Sequence, residues 1–220
     1  MLGVARAWWN VQPLGMNRRI FITMFSAFWI LAASAVQAGD KPATSVVEDL
    51  HKSLLTMMKK ADVLGFEGRR EFMETVVARS FNMPLIAAMA SGKNWDKFED
   101  TQKRELIVAL ERLSVATYAA RFDGYSGEEF QIIAEKPVEQ GLVFVNTELY
   151  TSDGSVIALN YLMHPGKTGW RVIDVYFLGA YSELGMRRSE YAAVYVRDGF
   201  DGLIASIERK IADYVAGLAQ

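Results

Sequence analysis

Apolar positions along the chain change period twice. From about residue 45 to residue 122 they recur every three or four positions. From Phe130 to Leu178 they alternate, and from about residue 186 to residue 217 the helical spacing returns. In the first block Ser45-Val46-Val47-Glu48 has the form of a capping box, whose Ser and Glu satisfy amides left unpaired at a helix start. Behind it Val46, Val47, Leu50, Leu54, Met57, Met58, Ala61 and Leu64 share a helical face that Gly65 ends. A second helix is predicted over 67–81, with Phe72, Val76 and Phe81 among its apolar positions. Asn82 as a cap and Pro84 at a first helical position open a short apolar helix, Leu85 to Ala90, which Gly92 stops. A long helix from about Asp100 to Phe122 places Leu106, Leu110, Leu113, Thr117 and Ala120 on one side.

The alternating block reads as four strands, FQIIAE, GLVFVNTELYT, SVIALNYLMH and GWRVIDVYFL, rich in Val, Ile, Phe and Tyr and bounded by turn residues. Ser152-Asp153-Gly154 forms a three-residue hairpin loop with Gly in the left-handed position, which pairs Thr151 with Ser155. That register gathers Val143, Val145, Thr147 and Leu149 with Ile157, Leu159, Tyr161 and Met163 on one face. Phe144, Asn146, Glu148 and Asn160 fall on the other. A two-residue loop would mix Glu148 and Asn146 with Leu159 and Tyr161 and bury polar groups. In the fourth strand both faces are apolar, so its cleft-facing residues stay open. Two amphipathic helices, about 186–197 and 201–217, close the chain around Asp198-Gly199. The fold class that follows is α+β: an antiparallel four-stranded sheet with helices packed on one face, enclosing an apolar cleft.

The amino terminus departs from this pattern. Residues 20–39 carry no charge, Arg18 and Arg19 precede them, and small residues crowd the end at Val36-Gln37-Ala38. A basic start, an apolar middle and an A-x-A-like end make residues 1–38 a secretory signal peptide. The rival is an uncleaved anchor helix, but an anchor would stay bulky where this stretch turns small. Met16 reads as the start, with residues 1–15 an over-extended frame. Asn17-Arg18-Arg19 resembles a twin-arginine signal, although a pair of arginines is common in any leader. Residues 39–220 then form one domain. The leader holds three Arg and no acid, so its removal takes the formal charge from −2 to −5.

Composition narrows the chemistry. Cys is absent, which removes disulfides, thiolate metal sites and Cys nucleophiles. The two His, His51 and His164, cannot make a three-His metal site, and both are expected to be exposed. A net charge near zero implies no polybasic surface, hence no nucleic acid partner. No phosphate-cradling glycine loop, nucleophile elbow or His-Glu-x-x-His motif occurs, so no cofactor is expected. Asp174, inside Val172-Ile173-Asp174-Val175-Tyr176, is the one notable acid. It suits a raised-pKa base in an apolar cavity, and more often such a residue accepts backbone amides at a strand end. The methionines beyond the leader suit either adaptable cavity walls or ordinary core filling.

In chain order the residues run Phe81-Asn82-Met83-Pro84, Gly92-Lys93-Asn94-Trp95, Gln102-Lys103-Arg104, Asn146-Thr147, Asp153-Gly154 and Asn160-Tyr161. Then come Gly169-Trp170-Arg171-Val172-Ile173-Asp174-Val175, Gly179, Ser182-Glu183-Leu184-Gly185-Met186-Arg187-Arg188-Ser189-Glu190-Tyr191 and Gly199-Phe200-Asp201-Gly202. This order resembles the MlaC, or toluene-tolerance, family of periplasmic phospholipid-binding proteins. The Arg-Arg-Ser-Glu-aromatic run looks most like its HpnM, hopanoid-associated, type. The similarity spans about Glu48 to Tyr214.

What the resemblance implies is a non-enzymatic periplasmic carrier. It would hold phospholipid or hopanoid tails in an apolar cavity and shuttle them between membrane complexes, with an inner-membrane transporter of ABC or RND type as partner. An oversized cavity is then expected. Its floor would be Val143, Val145, Leu159, Tyr161 and Met163, its helical wall Met83, Leu85 and Met89, and its entrance Ala180 and Tyr181. Gly-Ala-Tyr-Ser here is one residue longer than the Gly-x-Ser of MlaC itself. Arg187 and Arg188 could meet a phosphate, though a salt bridge near the cap is the plainer role. A non-enzymatic adaptor subunit of a membrane transporter would instead show a filled core and an exposed apolar patch. An isomerase would place Asp174 in a small pocket.

Overall fold

The computed structural model describes residues 42–217, so the signal peptide assigned to 1–38 lies outside the described residues. Five helices and five strands follow in order: α1 Ala43–Met58, α2 Ala61–Ser80, α3 Met83–Ser91, α4 Asp100–Arg121, β1 Glu129–Pro137, β2 Val143–Tyr150, β3 Val156–Gly166, β4 Gly169–Phe177, β5 Tyr181–Ser182 and α5 Glu183–Val215. Neighbouring strands pair antiparallel in the order β1-β2-β3-β4-β5. The expected four strands are therefore joined by a fifth of two residues, which caps one end of the β4 edge. At the other end Phe81 makes a single parallel bridge to Val172, and Asn82 N donates to Val172 O at 2.9 Å. Between them these segments cover an edge that would otherwise present unpaired amides.

On β2 burial alternates strictly: Val143, Val145, Thr147 and Leu149 are buried and the residues between them half-buried. The β2–β3 register is the expected one, with Val143 opposite Met163, Val145 opposite Tyr161 and Leu149 opposite Ile157. Thr151 N donates to Ser155 O at 3.0 Å, and Gly154 takes φ +84°. That left-handed conformation closes the three-residue loop and suits glycine because no Cβ meets the carbonyl. Near the middle of the hairpin, side chains replace part of the backbone ladder. Thr147 N donates to Asn160 Oδ1 at 3.2 Å, and the Thr147 hydroxyl donates to Leu159 O.

Helix α1 turns Val47, Leu50, Leu54 and Met57 onto the sheet side, all fully buried, and touches β1, β2 and β4. Each such side chain contributes about 1.5–3 kcal/mol through removal from water. Its start differs from the expected capping box. The helix opens at Ala43 behind Pro42, and Ser45 lies in the first turn, its hydroxyl donating to Pro42 O at 2.8 Å. A reciprocal box exists at α4 instead, where the Glu99 side chain accepts from the third helical amide and Gln102 Oε1 accepts from Glu99 N. Helix α1 also ends earlier than Gly65. The chain bends at Lys59-Lys60, and Ala61 and Leu64 continue the apolar pattern from the next helix, which breaks at Gly65.

Helix α3 is capped by Asn82 Oδ1, which accepts from Leu85 N at 3.2 Å. The closing helical segments form one run, beginning at Glu183 rather than near 186 and interrupted at Gly199 (φ +71°, ψ −166°), where a side chain would be strained. Helices α1, α2, α3 and α5 all meet β4, while α4 packs behind α2, α3 and α5.

Candidate functional site

The expected floor is assembled as the register requires. Val143, Val145, Tyr161 and Met163 are buried on the helix-facing side, and Leu159 is half-buried on the same side. Met83 is buried, and Leu85 and Met89 are half-buried and packed against the core. Ala180 and Tyr181 are exposed in the segment after β4.

The open residues of the fourth strand are resolved by a bulge. Met163 pairs with Val172 and Leu162 with Asp174, so Ile173 is the extra residue on β4. Tyr161 pairs with Val175, which puts Val172 and Val175 on the helix-facing side, since directly paired residues share a face. The bulge makes Val172, Ile173 and Asp174 three successive buried residues. No alternating pattern could have shown that.

Among the described residues no oversized cavity separates floor and helices. The hollow that the helices leave against β4, lined by Phe81, Ile86, Tyr118, Ile173, Val175 and Leu184 among others, holds about 30 Å³. That is about the volume of one water. A larger groove, about 430 Å³, lies elsewhere, between α2, α4 and the end of α5, and contains charged Glu67, Arg70, Glu74 and Arg112. Neither hollow touches any of the predicted floor residues. Charged side chains dominate the lining of the larger groove, whereas Phe81, Ile86, Ile173, Val175 and Leu184 make the crevice against β4 more apolar, so the crevice is the better candidate for a tail.

His51 corrects an expectation. It is buried rather than exposed, stacked on Phe130 with ring centroids 4.1 Å apart, and its Nε2 lies 3.0 Å from Tyr161 Oη. Burial lowers the imidazole pKa from 6.5 to about 3 and pushes the Tyr161 phenol up. The spacing signal was present: His51 follows Val47 by four and precedes Leu54 by three, on the buried stripe of α1. His164 is half-buried rather than exposed, and its Nδ1 has no partner among the described residues.

Asp174 lines the crevice with both carboxylate oxygens engaged. Oδ1 accepts from Val175 N (2.8 Å) and Leu184 N (2.9 Å), and Oδ2 accepts from the Ser182 hydroxyl (2.6 Å). Ser182 Oγ in turn accepts from Gly185 N at 2.8 Å as the cap of α5. Burial raises the carboxyl pKa, and the three hydrogen bonds pull it back. The group ties the start of α5 to β4, with a negative charge at the positive end of the helix dipole. Asp174→Ala is expected to cost about 3 kcal/mol, because two amides and a hydroxyl lose their acceptor. Asp174→Asn, which keeps one carbonyl oxygen, should cost about 1 kcal/mol. Urea unfolding of the two variants checks the order.

Arg187 takes the salt-bridge role, with Nη2 2.7 Å from Glu183 Oε1, and Arg188 packs over Gly92. Among the described residues no cluster of His, Asp and Glu could hold a metal, and no helix is long and apolar enough to cross a membrane.

No curated protein sequence matches the chain significantly. Among solved structures, the fold matches that of the phospholipid-binding protein from Ralstonia solanacearum, determined in complex with a phospholipid. The TM-score is 0.71 at 17% identity, covering 80% of this chain and 99% of that one. The family model described as MlaC protein matches residues 48–209, from the middle of α1 into the second half of α5. With that match covering most of the described residues, the chain belongs to the MlaC family.

Proposed function

We propose that this protein is a non-enzymatic lipid carrier of the periplasm, exported by the leader at 1–38. It would seat phospholipid or hopanoid tails between the sheet and its helices and carry them between membrane complexes. The observation that carries this reading is the apolar floor, Val143, Val145, Leu159, Tyr161 and Met163 on one sheet face. It occurs in a fold matched to a protein solved with phospholipid. Each methylene withdrawn from water contributes about 0.8 kcal/mol, so an apolar site alone suffices to hold a tail. A tail needs far more than the 30 Å³ of the crevice, so α3 or the first half of α5 must move off β4 to admit one. Gly199 divides α5 at a place suited to such a motion. Met83, Leu85 and Met89 on α3 would form the moving wall, with Ala180 and Tyr181 at the entrance.

The narrow crevice and the exposed residues after β4 favour a second reading, an adaptor subunit that docks on a membrane transporter of ABC or RND type without cargo. Transfer of pyrene-labelled phosphatidylglycerol to residues 39–220 separates the two. The carrier takes up label, and Val175→Trp, which fills the crevice from a half-buried position, lowers the apparent affinity about tenfold. Wild-type protein that takes up no label supports the adaptor.

A further inference from the structure

The chain between Asp174 and Glu183 contains eight residues without a charge, Val175 to Ser182, and three of them are large and exposed. Phe177 is 44% exposed, Leu178 53% and Tyr181 60%. Phe177 pairs with Leu159 on one side and Tyr181 on the other, so all three lie on the helix-facing side of the sheet, past the cover of the helices. An apolar track therefore runs from buried Tyr161 through half-buried Val175 and Leu159 to exposed Phe177 and Tyr181. The residues bracketing the tip, Ile173 to Val175 before it and Glu183 and Leu184 after it, line the crevice.

Backbone conformation adds a separate observation. Leu178 has φ +52° and Gly179 φ +72°, and Ala180 N donates to Phe177 O at 3.3 Å, the pattern of a type I′ turn. The first central position favours Gly, Asn or Asp, and a leucine there is strained with its side chain in water. Neither packing nor turn chemistry accounts for a leucine at that place.

We propose that the turn Phe177 to Tyr181 is a membrane-contact tip, which dips into the apolar boundary of a lipid bilayer beside the crevice mouth. The proposal rests on the carrier reading, since the tip would bring the lipid-binding cleft to the lipid source. A membrane fits better than a protein groove because the apolar track runs straight into the lipid crevice. An uncharged aromatic and aliphatic turn also has the amphipathic tyrosine of an interfacial anchor. The formal charge of −5 for residues 39–220 gives no attraction to anionic lipid, so contact should persist at high salt.

The chain has no cysteine, so Leu178→Cys carries a single environment-sensitive fluorophore without further changes. Neutral phosphatidylcholine vesicles should blue-shift and brighten it, at low and high salt alike. The same label on Val63→Cys, a site 92% exposed on α2, should not respond. Leu178→Asp should reduce co-flotation with vesicles about tenfold. Leu178→Gly should also weaken flotation but leave the Tm undiminished, because the strain is relieved. An unshifted label at 178, with Leu178→Asp floating like wild type, overturns the tip and points to a protein partner there. Pyrene-lipid supplied from detergent dispersion is measured on the same samples. Normal loading with no vesicle response contradicts the tip alone, whereas no loading from either source contradicts the carrier reading itself.

Discussion

Tyr161→Glu is expected to abolish cooperative folding rather than to empty a lipid site in an intact protein. The residue is 1% exposed, and among the described contacts its hydroxyl has one hydrogen-bond partner, His51 Nε2 at 3.0 Å. A carboxylate placed there would be buried beside an imidazole whose protonation burial opposes, at a cost of about 4 kcal/mol or more. That is a large part of the 5–15 kcal/mol typical of a domain. The substitution is thus unsuited to testing lipid binding. Tyr161→Phe removes one hydroxyl and leaves His51 Nε2 unpaired, for about 1–2 kcal/mol. Circular dichroism during urea unfolding should show no transition for the Glu variant and a modestly shifted one for Phe. A cooperative transition near wild type for Tyr161→Glu would mean that the residue does not pack as described.

Acid should destabilise the domain through His51. Its folded pKa of about 3 lies below the unfolded 6.5, so between those values the unfolded chain binds a proton that the folded one excludes. Stability is full above pH 6.5 and falls as the pH is lowered. The loss reaches about 2 kcal/mol near pH 5 and about 4 kcal/mol near pH 3. Carboxylates add their own acid dependence, so the contribution is isolated by a double variant, His51→Leu with Tyr161→Phe. It removes both hydrogen-bonding partners together and so leaves no buried orphan. Urea midpoints measured across this range should diverge increasingly between wild type and double variant below pH 6.5. Parallel profiles would show that His51 titrates normally.

The β2–β3 hairpin was legible because two independent signals agreed, the Ser152-Asp153-Gly154 loop and the alternation of Val143, Val145, Thr147 and Leu149. Asn82, Pro84 and Gly92 likewise marked α3, being residue types that favour a helix cap, first turn and stop. Where a tertiary contact decides, the pattern misled. Lys59-Lys60 contains no helix breaker, yet the chain bends there, and the apolar period runs on because Ala61 and Leu64 follow from a separate helix. Ser45 has the spacing of a cap, but Pro42 sets the helix start three residues earlier. The Ile173 bulge hid which face of β4 meets the helices, and β5 was too short for any period to show.

For the candidate site, the floor followed from register alone, because one slip of residue would expose it. The closeness of the helices to that floor did not, since packing density is a property of the assembled layers. His51 was the avoidable miss, because its polar neighbours Asp49 and Lys52 drew attention from its place on the buried stripe.

The central claim is that the space between sheet and helices receives a lipid. Native mass spectrometry on residues 39–220, purified from membrane-bearing cells and then incubated with vesicles containing phospholipid and hopanoid, tests it most directly. The expected spectrum shows one lipid mass held in stoichiometric amount on the folded protein and lost on denaturation, which also names the cargo. A protein that remains empty after purification and after incubation with both lipids would contradict the carrier.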